Sequence, residues 1–211
     1  MSSSTPRGYI KRYDDGDRVN HWAVALLLIL AALSGLSFFH PSLFFFSYLF
    51  GGGPWTRILH PFIGLLTFVF FIGMVIRFAG DNRFTAGDRE WRGKMGEMLK
   101  GNKAGMPPVG KYNWAQKMVF WVTLWSLAVL LVTGLVFWRP WFAPYFPIWA
   151  IRAASLLHSV AAVVLILGII VHVYAVIWVK GTLRAMTRGN VSEAWAAKNH
   201  PLWHREVTRG K

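Results

Sequence analysis

Residues 155–181 form a long apolar segment with two histidines, and this segment constrains the fold more than any other part of the chain. A spanning helix needs about 20 mostly apolar residues, so the segment is long enough to cross a bilayer. His158 and His172 are fourteen positions apart, which in a helix means about 21 Å along the axis and about 40° around it. Ionisable residues in spanning helices face the bundle interior and mark functional sites. We interpret the two histidines as ligands of two haems stacked across a membrane.

The composition supports a membrane protein and narrows its chemistry. The chain has 211 residues, is 55% hydrophobic and carries a net charge of +14. Because several apolar runs reach spanning length, the charge indicates membrane topology rather than nucleic-acid binding. Cysteine is absent, which excludes disulfides, cysteine-bound zinc, iron–sulfur ligation and covalent c-type haem. Any redox centre must therefore be held by histidine or methionine.

The hydropathy pattern predicts an all-α integral membrane four-helix bundle, in a single domain over 1–211. The four spanning segments are expected at about 21–39, 60–78, 117–138 and 149–179. The first segment has full spanning length and no A-x-A-type processing site follows it, so we expect it to stay as a helix rather than be cleaved as a signal.

Lysine and arginine predict the orientation. The N-terminal tail has four, the central link 79–116 with its flanks has nine, and the tail 180–211 has seven, which makes 20. The other two links have three in all. Positive residues concentrate on the cytoplasmic side, so both termini and the central link are predicted to be cytoplasmic.

Matching the histidines by depth gives two pairs. His21 and His172 belong to the cytoplasmic side, and His60 and His158 to the opposite side. Each pair supplies two axial nitrogens for one haem iron, although a single histidine in such a core is as readily explained by structural hydrogen bonding. Small residues let helices approach closely. We expect such thinning at Gly35 and Gly134, and Gly64 lies one turn after His60.

The remaining histidines are weaker candidates. His40, before Pro41, is expected at the membrane interface. His200 and His204 are four apart, but Pro201 between them disfavours a regular helix. A metal site there is an alternative to a solvated or partner-facing tail, which we favour.

Several loop segments carry further signals. In the central link, helical spacing of apolar side chains predicts a short amphipathic helix on the membrane, a partner or the protein's own loops. These side chains are Trp91, Met95, Met98 and Leu99. The aromatic segment 139–147 is typical of interfacial anchoring. Ser192 is predicted to cap a short helix, followed by an extended end. No internal repeat is visible.

Asn113 and Gln116 precede the third spanning segment. They are three apart and share a helix face at the depth of the inner histidine pair. Their amides are suited to hydrogen-bond the carbonyl oxygens of a quinone, and amides at helix starts also serve as caps or as solvated groups.

An ordered set of motifs then resembles one family over nearly the whole chain, from about residue 9 to 206. The chain resembles the cytochrome b (gamma) subunit of respiratory formate dehydrogenases, a four-helix di-haem membrane protein. The motifs are RVNHW at 18–22, RILHPFIG at 57–64, GKYNWAQKMVFW at 110–121, LLVTGLVFWRPWFAPYFP at 130–147, LLHS at 156–159, HVYAVIWVKG at 172–181 and AWAAKNHPLWHRE at 194–206.

The resemblance implies two b-type haems with the same ligand pairs. The outer haem is held by His60 and His158, and the inner haem by His21 and His172. His40 is not expected to be a ligand.

The resemblance also implies a quinone site beside the inner haem, for menaquinone or ubiquinone, with Asn113 and Gln116 at the matching positions. Ala115 stands where the family motif usually has glycine, and its methyl group is expected to narrow the pocket or shift the quinone.

By resemblance, a partner subunit with a molybdenum or tungsten pterin oxidises formate and an iron–sulfur subunit passes on the electrons. This chain then reduces quinone, as part of anaerobic respiration at the bacterial inner membrane. The nearest alternative is the same architecture in a nickel–iron hydrogenase or a thiosulfate reductase. An alternative of another class is a haem-free membrane anchor.

Overall fold

The computed structural model describes residues 6–102, 105–139 and 141–209. Lys103 and Lys211, counted above among the cytoplasmic basic residues, and Pro140 of the aromatic segment lie outside these ranges. The described helices are α1 Asp15–Phe39, α2 Gly53–Phe78, α3 Ala86–Gly93, α4 Met95–Leu99, α5 Trp114–Val136, α6 Ile148–Trp178, α7 Leu183–Arg188, α8 Glu193–Asn199 and α9 Pro201–Thr208. The described strands are β1 Tyr9–Lys11 and β2 Asn190–Ser192, and 3₁₀ helices cover Pro41–Phe50 and Ala143–Tyr145.

Four of these helices are long and apolar enough to cross a membrane: α1, α2, α5 and α6. The prediction of a mostly helical chain with four spanning helices is confirmed. The helices α1 and α2 begin six and seven residues before their predicted starts at 21 and 60. In α1, Asp15 and Asp17 occupy the first turn, where negative charge complements the positive end of the helix dipole. The apolar run therefore marks only the membrane-crossing part of a longer helix.

The chain divides into two compact units, one of which comprises residues 19–76 and 122–170. Its buried core takes one side chain from each spanning helix: Val24, Phe71, Leu127 and Leu165. The four spanning helices thus pack together through this apolar cluster.

The other unit comprises residues 1–18, 77–121 and 171–211. Its two strands pair antiparallel, with Ile10 opposite Val191. The chain is therefore mostly helical rather than all-α, because it also contains one two-stranded sheet. Strands of three residues leave no periodic pattern to detect, and these two join tails that are some 180 positions apart in the sequence. The prediction of a single domain over 1–211 stays a prediction.

Arg12 is buried at the centre of this second unit and is surrounded by aromatic rings. Its guanidinium carbon lies 4.6 Å from the ring centre of Trp203 and 5.3 Å from that of Trp195. Tyr13 and Tyr112 lie on its other sides, both at 5.7 Å. Cation–π attraction is strongest when the pair is shielded from water, so Arg12 helps to hold the N-terminal segment against the C-terminal helices.

The tail is only partly as predicted. Ser192 caps α8, because its Oγ accepts a hydrogen bond from the backbone N–H of Trp195 at 3.2 Å. The expected extended end is wrong, since residues 201–208 form α9. Pro201 occupies the first position of that helix, where the missing N–H costs no intrahelical hydrogen bond. The prediction that Pro201 disfavours a helix holds for a proline in the interior of a helix, whereas Pro201 lies at its first position.

His200, between α8 and α9, is also not in a solvated segment. It is 2% exposed, and its Nδ1 lies 2.8 Å from the carbonyl oxygen of Gly110. Only a protonated Nδ1 can donate to that oxygen. Burial and the charge of nearby Arg12 lower the pKa of His200 to about 4, so its imidazole stays neutral at neutral pH.

We therefore expect α8 and α9 to loosen as the pH falls. Between pH 6.5 and 4 the unfolded segment binds a proton at His200 that the folded segment does not, so stability falls with decreasing pH. The loss from pH 7 to pH 5 is about 2 kcal/mol. Hydrogen exchange of α8 and α9 amides, corrected for intrinsic rates, measures it. His200→Gln keeps a donor for Gly110 and is expected to abolish the dependence; an unchanged pH profile in this variant would contradict the assignment.

The predicted amphipathic helix of the central link is two short helices, α3 and α4. Trp91 of α3 is buried and stacks on Trp114 at 6.1 Å between ring centres. The link therefore packs on the protein's own chain at this residue. Lys117 reinforces the contact through a buried ion pair with Asp88, at 2.7 Å between Nζ and Oδ2. Both side chains are almost fully buried, and removing one partner of such a pair is more costly than removing both.

Candidate functional site

His60 of α2 and His158 of α6 face each other within the unit formed by the spanning helices. Their ring centres are 6.3 Å apart and the ring planes are inclined by 69°. Both side chains are partly buried. The structure thus brings together the two histidines that matching by depth assigned to one pair.

Two glycines give these rings their space. A Cβ atom built on Gly35 of α1 would lie 3.2 Å from Cε1 of His60, and one on Gly134 of α5 would lie 3.4 Å from Cε1 of His158. Contacts this short leave little room for a side chain, so each imidazole lies directly against a helix backbone. The expected thinning is found at these two glycines. An added Cβ on Gly64, one turn after His60, would meet no side chain and no other helix among the described residues within 4 Å.

Hydroxyl groups next to the same glycines hold the two rings. Oγ of Ser34 lies 2.8 Å from Nδ1 of His60, and Oγ1 of Thr133 lies 2.9 Å from Nδ1 of His158. Sequence reasoning missed both residues. A serine or threonine in a spanning helix ordinarily bonds to the carbonyl four residues before it, so neither position stands out alone.

The spacing of the rings suits two ligands of one iron. Metal–nitrogen bonds to imidazole are about 2 Å long, so two such bonds on opposite sides of an iron account for about 4 Å. The 6.3 Å between the ring centres of His60 and His158 leaves about one imidazole radius on each side. The pair therefore fits a bis-histidine haem. The chain holds no cysteine that would offer another kind of axial ligand.

His21 and His172 are less well defined as a pair. His21 lies in α1, with its ring edge-on to Trp22 at 5.4 Å, and belongs to the unit of the spanning helices. His172 lies near the end of α6 and belongs to the other unit. Both are partly buried. Their pairing stays a prediction.

Asn113 and Gln116 form a reciprocal cap at the start of α5. Oδ1 of Asn113 accepts the backbone N–H of Gln116, and Oε1 of Gln116 accepts the backbone N–H of Asn113, both at 2.9 Å. The capping role considered from the sequence is thus present. The cap uses only the two side-chain oxygens, and so it leaves the NH₂ groups as donors for another acceptor.

Two further histidines, His40 and His200, serve local structure. Nδ1 of exposed His40 accepts the backbone N–H of Ser42 at 3.2 Å and caps the 3₁₀ helix Pro41–Phe50. His200 is bonded to Gly110 as described above. Within the described ranges, no group of three or more His, Cys, Asp or Glu side chains is arranged to hold a metal ion.

Comparison with known proteins assigns this chain to a family. The family model described as prokaryotic cytochrome b561 matches residues 12–189. The chain belongs to this cytochrome b561 family. It is 45% identical over 203 residues to the cytochrome b556(fdo) subunit of formate dehydrogenase from Escherichia coli K12, covering 96% of this chain and 95% of the relative.

Two further relatives carry similar names. The cytochrome b556(Fdn) subunit of the nitrate-inducible formate dehydrogenase of Escherichia coli K12 is 44% identical over 195 residues, covering 92% of this chain and 90% of the relative. The cytochrome b556 subunit of formate dehydrogenase from Haemophilus influenzae is 38% identical over 202 residues, covering 96% of this chain and 85% of the relative. The resemblance to formate dehydrogenase cytochrome b subunits is confirmed.

Membership in the cytochrome b561 family establishes the general nature of the site. The protein is a membrane cytochrome with four apolar helices of spanning length, and its family implies b-type haem as the prosthetic group. Its relatives are subunits of formate dehydrogenases, which implies that it works with partner subunits.

Proposed function

We propose that this cytochrome is the di-haem membrane subunit of a respiratory formate dehydrogenase. It carries electrons from an iron–sulfur partner subunit across the bacterial inner membrane and reduces menaquinone or ubiquinone. Formate is oxidised on a partner subunit with a molybdenum or tungsten pterin. The iron–sulfur centres also belong to a partner subunit, because a chain without cysteine has no thiolate for iron–sulfur ligation. Lipid surrounds the spanning helices, and nucleic acid has no part in the function.

The observation that carries this proposal is the opposed pair of His60 and His158. Their ring centres are 6.3 Å apart, and each ring lies against a glycine of a neighbouring helix. A haem-free anchor has no need of two imidazoles held at the spacing of one iron. Identity of 44–45% to formate dehydrogenase subunits over most of the chain favours this complex over a hydrogenase or thiosulfate reductase.

The chain's residues divide the work between two sites. His60 and His158 hold the outer haem, and His21 and His172 hold the inner haem. When bound, b-type haem supplies one-electron redox chemistry. Asn113 and Gln116 donate their NH₂ groups to the carbonyl oxygens of the quinone on the cytoplasmic side. Arranged in this way, the chain moves negative charge inward, and each elementary charge stores about 2.3 kcal/mol per 100 mV of membrane potential.

The haem-to-protein ratio of the purified complex, with a reduced-minus-oxidised visible spectrum, tests the proposal. We expect two b-type haems for each copy of this chain, both reduced by formate. One haem would show that one histidine pair is misassigned. A complex without b-type haem would leave only the anchoring function.

A further inference from the structure

The two histidines of the outer site are held by the same five-residue pattern in two different helices. SGLSF occupies 34–38 in α1, and TGLVF occupies 133–137 at the C-terminal end of α5, with Phe137 directly after its last residue. Each pattern has a hydroxyl residue, a glycine, a leucine and, four positions after the hydroxyl, a phenylalanine. No repeat was evident from the sequence alone, because a match at four of five positions attracts attention only when the matching residues make the same contacts.

The contacts are in fact the same. The hydroxyl bonds to Nδ1 of the ring, at 2.8 Å in α1 and 2.9 Å in α5. The glycine lies against Cε1 of the ring. The phenylalanine meets the ring edge-on, with Phe38 at 6.4 Å from His60 and Phe137 at 5.1 Å from His158. Each pattern thus forms a cradle for one imidazole, and we call the two segments the α1 cradle and the α5 cradle.

The hydrogen bonds of the hydroxyls decide which ring nitrogen carries the proton. Oγ of Ser34 lies 2.8 Å from the carbonyl oxygen of Leu30, and Oγ1 of Thr133 lies 2.6 Å from that of Val129. A carbonyl oxygen only accepts, so the single hydroxyl proton is used there. The hydroxyl oxygen then accepts from the ring, and Nδ1 must be the protonated nitrogen.

The geometry points to Ser34 and Thr133 as positioning residues of the outer haem, which accept the Nδ1–H of His60 and His158 and so present Nε2 of each ring to the iron. This inference rests on the proposed function, since it requires that these histidines hold a haem. An outer-shell acceptor fixes the tautomer and the ring orientation of a metal-binding histidine and raises its basicity as a ligand.

Thr133→Val tests the inference, because valine has the shape of threonine without the hydroxyl. A less basic His158 stabilises ferric iron less, so the midpoint potential of the outer haem is expected to rise. Loss of an outer-shell partner typically lowers metal affinity about 10- to 100-fold. If a tenfold part of that loss falls on the ferric form alone, the midpoint potential rises by about 59 mV for one electron. We also expect altered g values in the ferric EPR signal, since the ring loses its rotational restraint. Haem content stays at two.

The chain offers a matched control in Thr67 of α2. Like Thr133 it is a buried threonine, at 1% against 6% exposure, and its Oγ1 bonds to the carbonyl oxygen four residues before it, at 2.8 Å from Ile63. Thr67→Val therefore removes the same backbone contact and is expected to leave potential and g values unchanged. Thr133→Ser restores the hydroxyl and is expected to restore both. Ser34→Ala provides an independent variant at the other ring, with a rise in the same direction.

The measurements are made on the membrane-bound complex, with His158→Ala alongside. If His158→Ala lowers the haem content from two to one while Thr133→Val and Ser34→Ala behave like Thr67→Val, the positioning role is wrong and the proposed function stands. If His158→Ala keeps both haems, the assignment of the outer haem itself is wrong.

Discussion

Replacing His158 with alanine is expected to remove one of two b-type haems and to stop the transfer of electrons from formate to quinone. Alanine supplies no axial nitrogen. His60 then has no second imidazole opposite it, where the ring of His158 lies 6.3 Å away between ring centres in the unchanged protein. In the proposed function, electrons from the iron–sulfur partner enter at the outer site, so we expect that formate no longer reduces the inner haem. It remains reducible by dithionite, which needs no partner subunit.

Haem content, formate-reduced spectra and dithionite-reduced spectra of the purified complex measure this effect. His40→Ala is the matched control, because His40 is an exposed histidine that caps a 3₁₀ helix and is not one of the proposed haem ligands. It is expected to keep two haems and full activity. His172→Ala is expected to show the complementary result, with the outer haem still reduced by formate and quinone reduction lost. Two haems and full activity in either ligand variant would refute the pairing.

The spanning helices and the His60–His158 pair could be predicted because their signals are local. The length of an apolar run can be read from the sequence without knowing what the run packs against. A histidine within such a run is recognised in the same way. Depth along each helix then sufficed to match His60 with His158. The same reasoning placed His21 with His172, and that pair remains a prediction.

Features that depend on a second segment were missed for a physical reason. Ser34 and Thr133 look like ordinary helix hydroxyls until an imidazole lies 2.8–2.9 Å away. β1 exists because β2 pairs with it from the other end of the chain. The burial of His200 depends on Gly110 and Arg12, which come from two other segments.

The structure around Pro201 was predicted wrongly for a related reason. Its effect on a helix depends on its position, being costly in the interior and favourable at the first turn. The N-cap position of α9, directly before Pro201, is held by His200, which is not among the preferred N-cap residues. The start of α9 is therefore evident only from its packing, with Trp203 buried.

Exchanging the amides of Asn113 and Gln116 for carboxylates is expected to weaken quinone reduction strongly while leaving the fold intact. Asn113→Asp and Gln116→Glu keep the oxygens that form the reciprocal cap at 2.9 Å. Negative charge in the first turn of α5 also favours the helix. The variants lose only the NH₂ donors, and a carboxylate repels the carbonyl oxygen of a quinone.

Each lost hydrogen bond in a buried site costs about 1–3 kcal/mol, so the double variant is expected to lose about a hundredfold or more in kcat/KM for quinone. Haem content and reduction of the haems by formate remain normal, because the change lies after them in the electron path. Steady-state kinetics with a soluble quinone analogue and the formate-reduced haem spectrum measure the two effects separately.

Two comparisons separate the quinone function from the cap. Asn113→Ala with Gln116→Ala loses the cap as well as the donors, so it is expected to lower both thermal stability and quinone reduction. Ser192→Ala loses a helix cap of the same kind at α8 and is expected to cost about 1 kcal/mol of stability without affecting the KM for quinone. If the carboxylate variants reduced quinone normally, Asn113 and Gln116 would be capping residues alone, and the quinone would have to be bound by other donors near the inner haem.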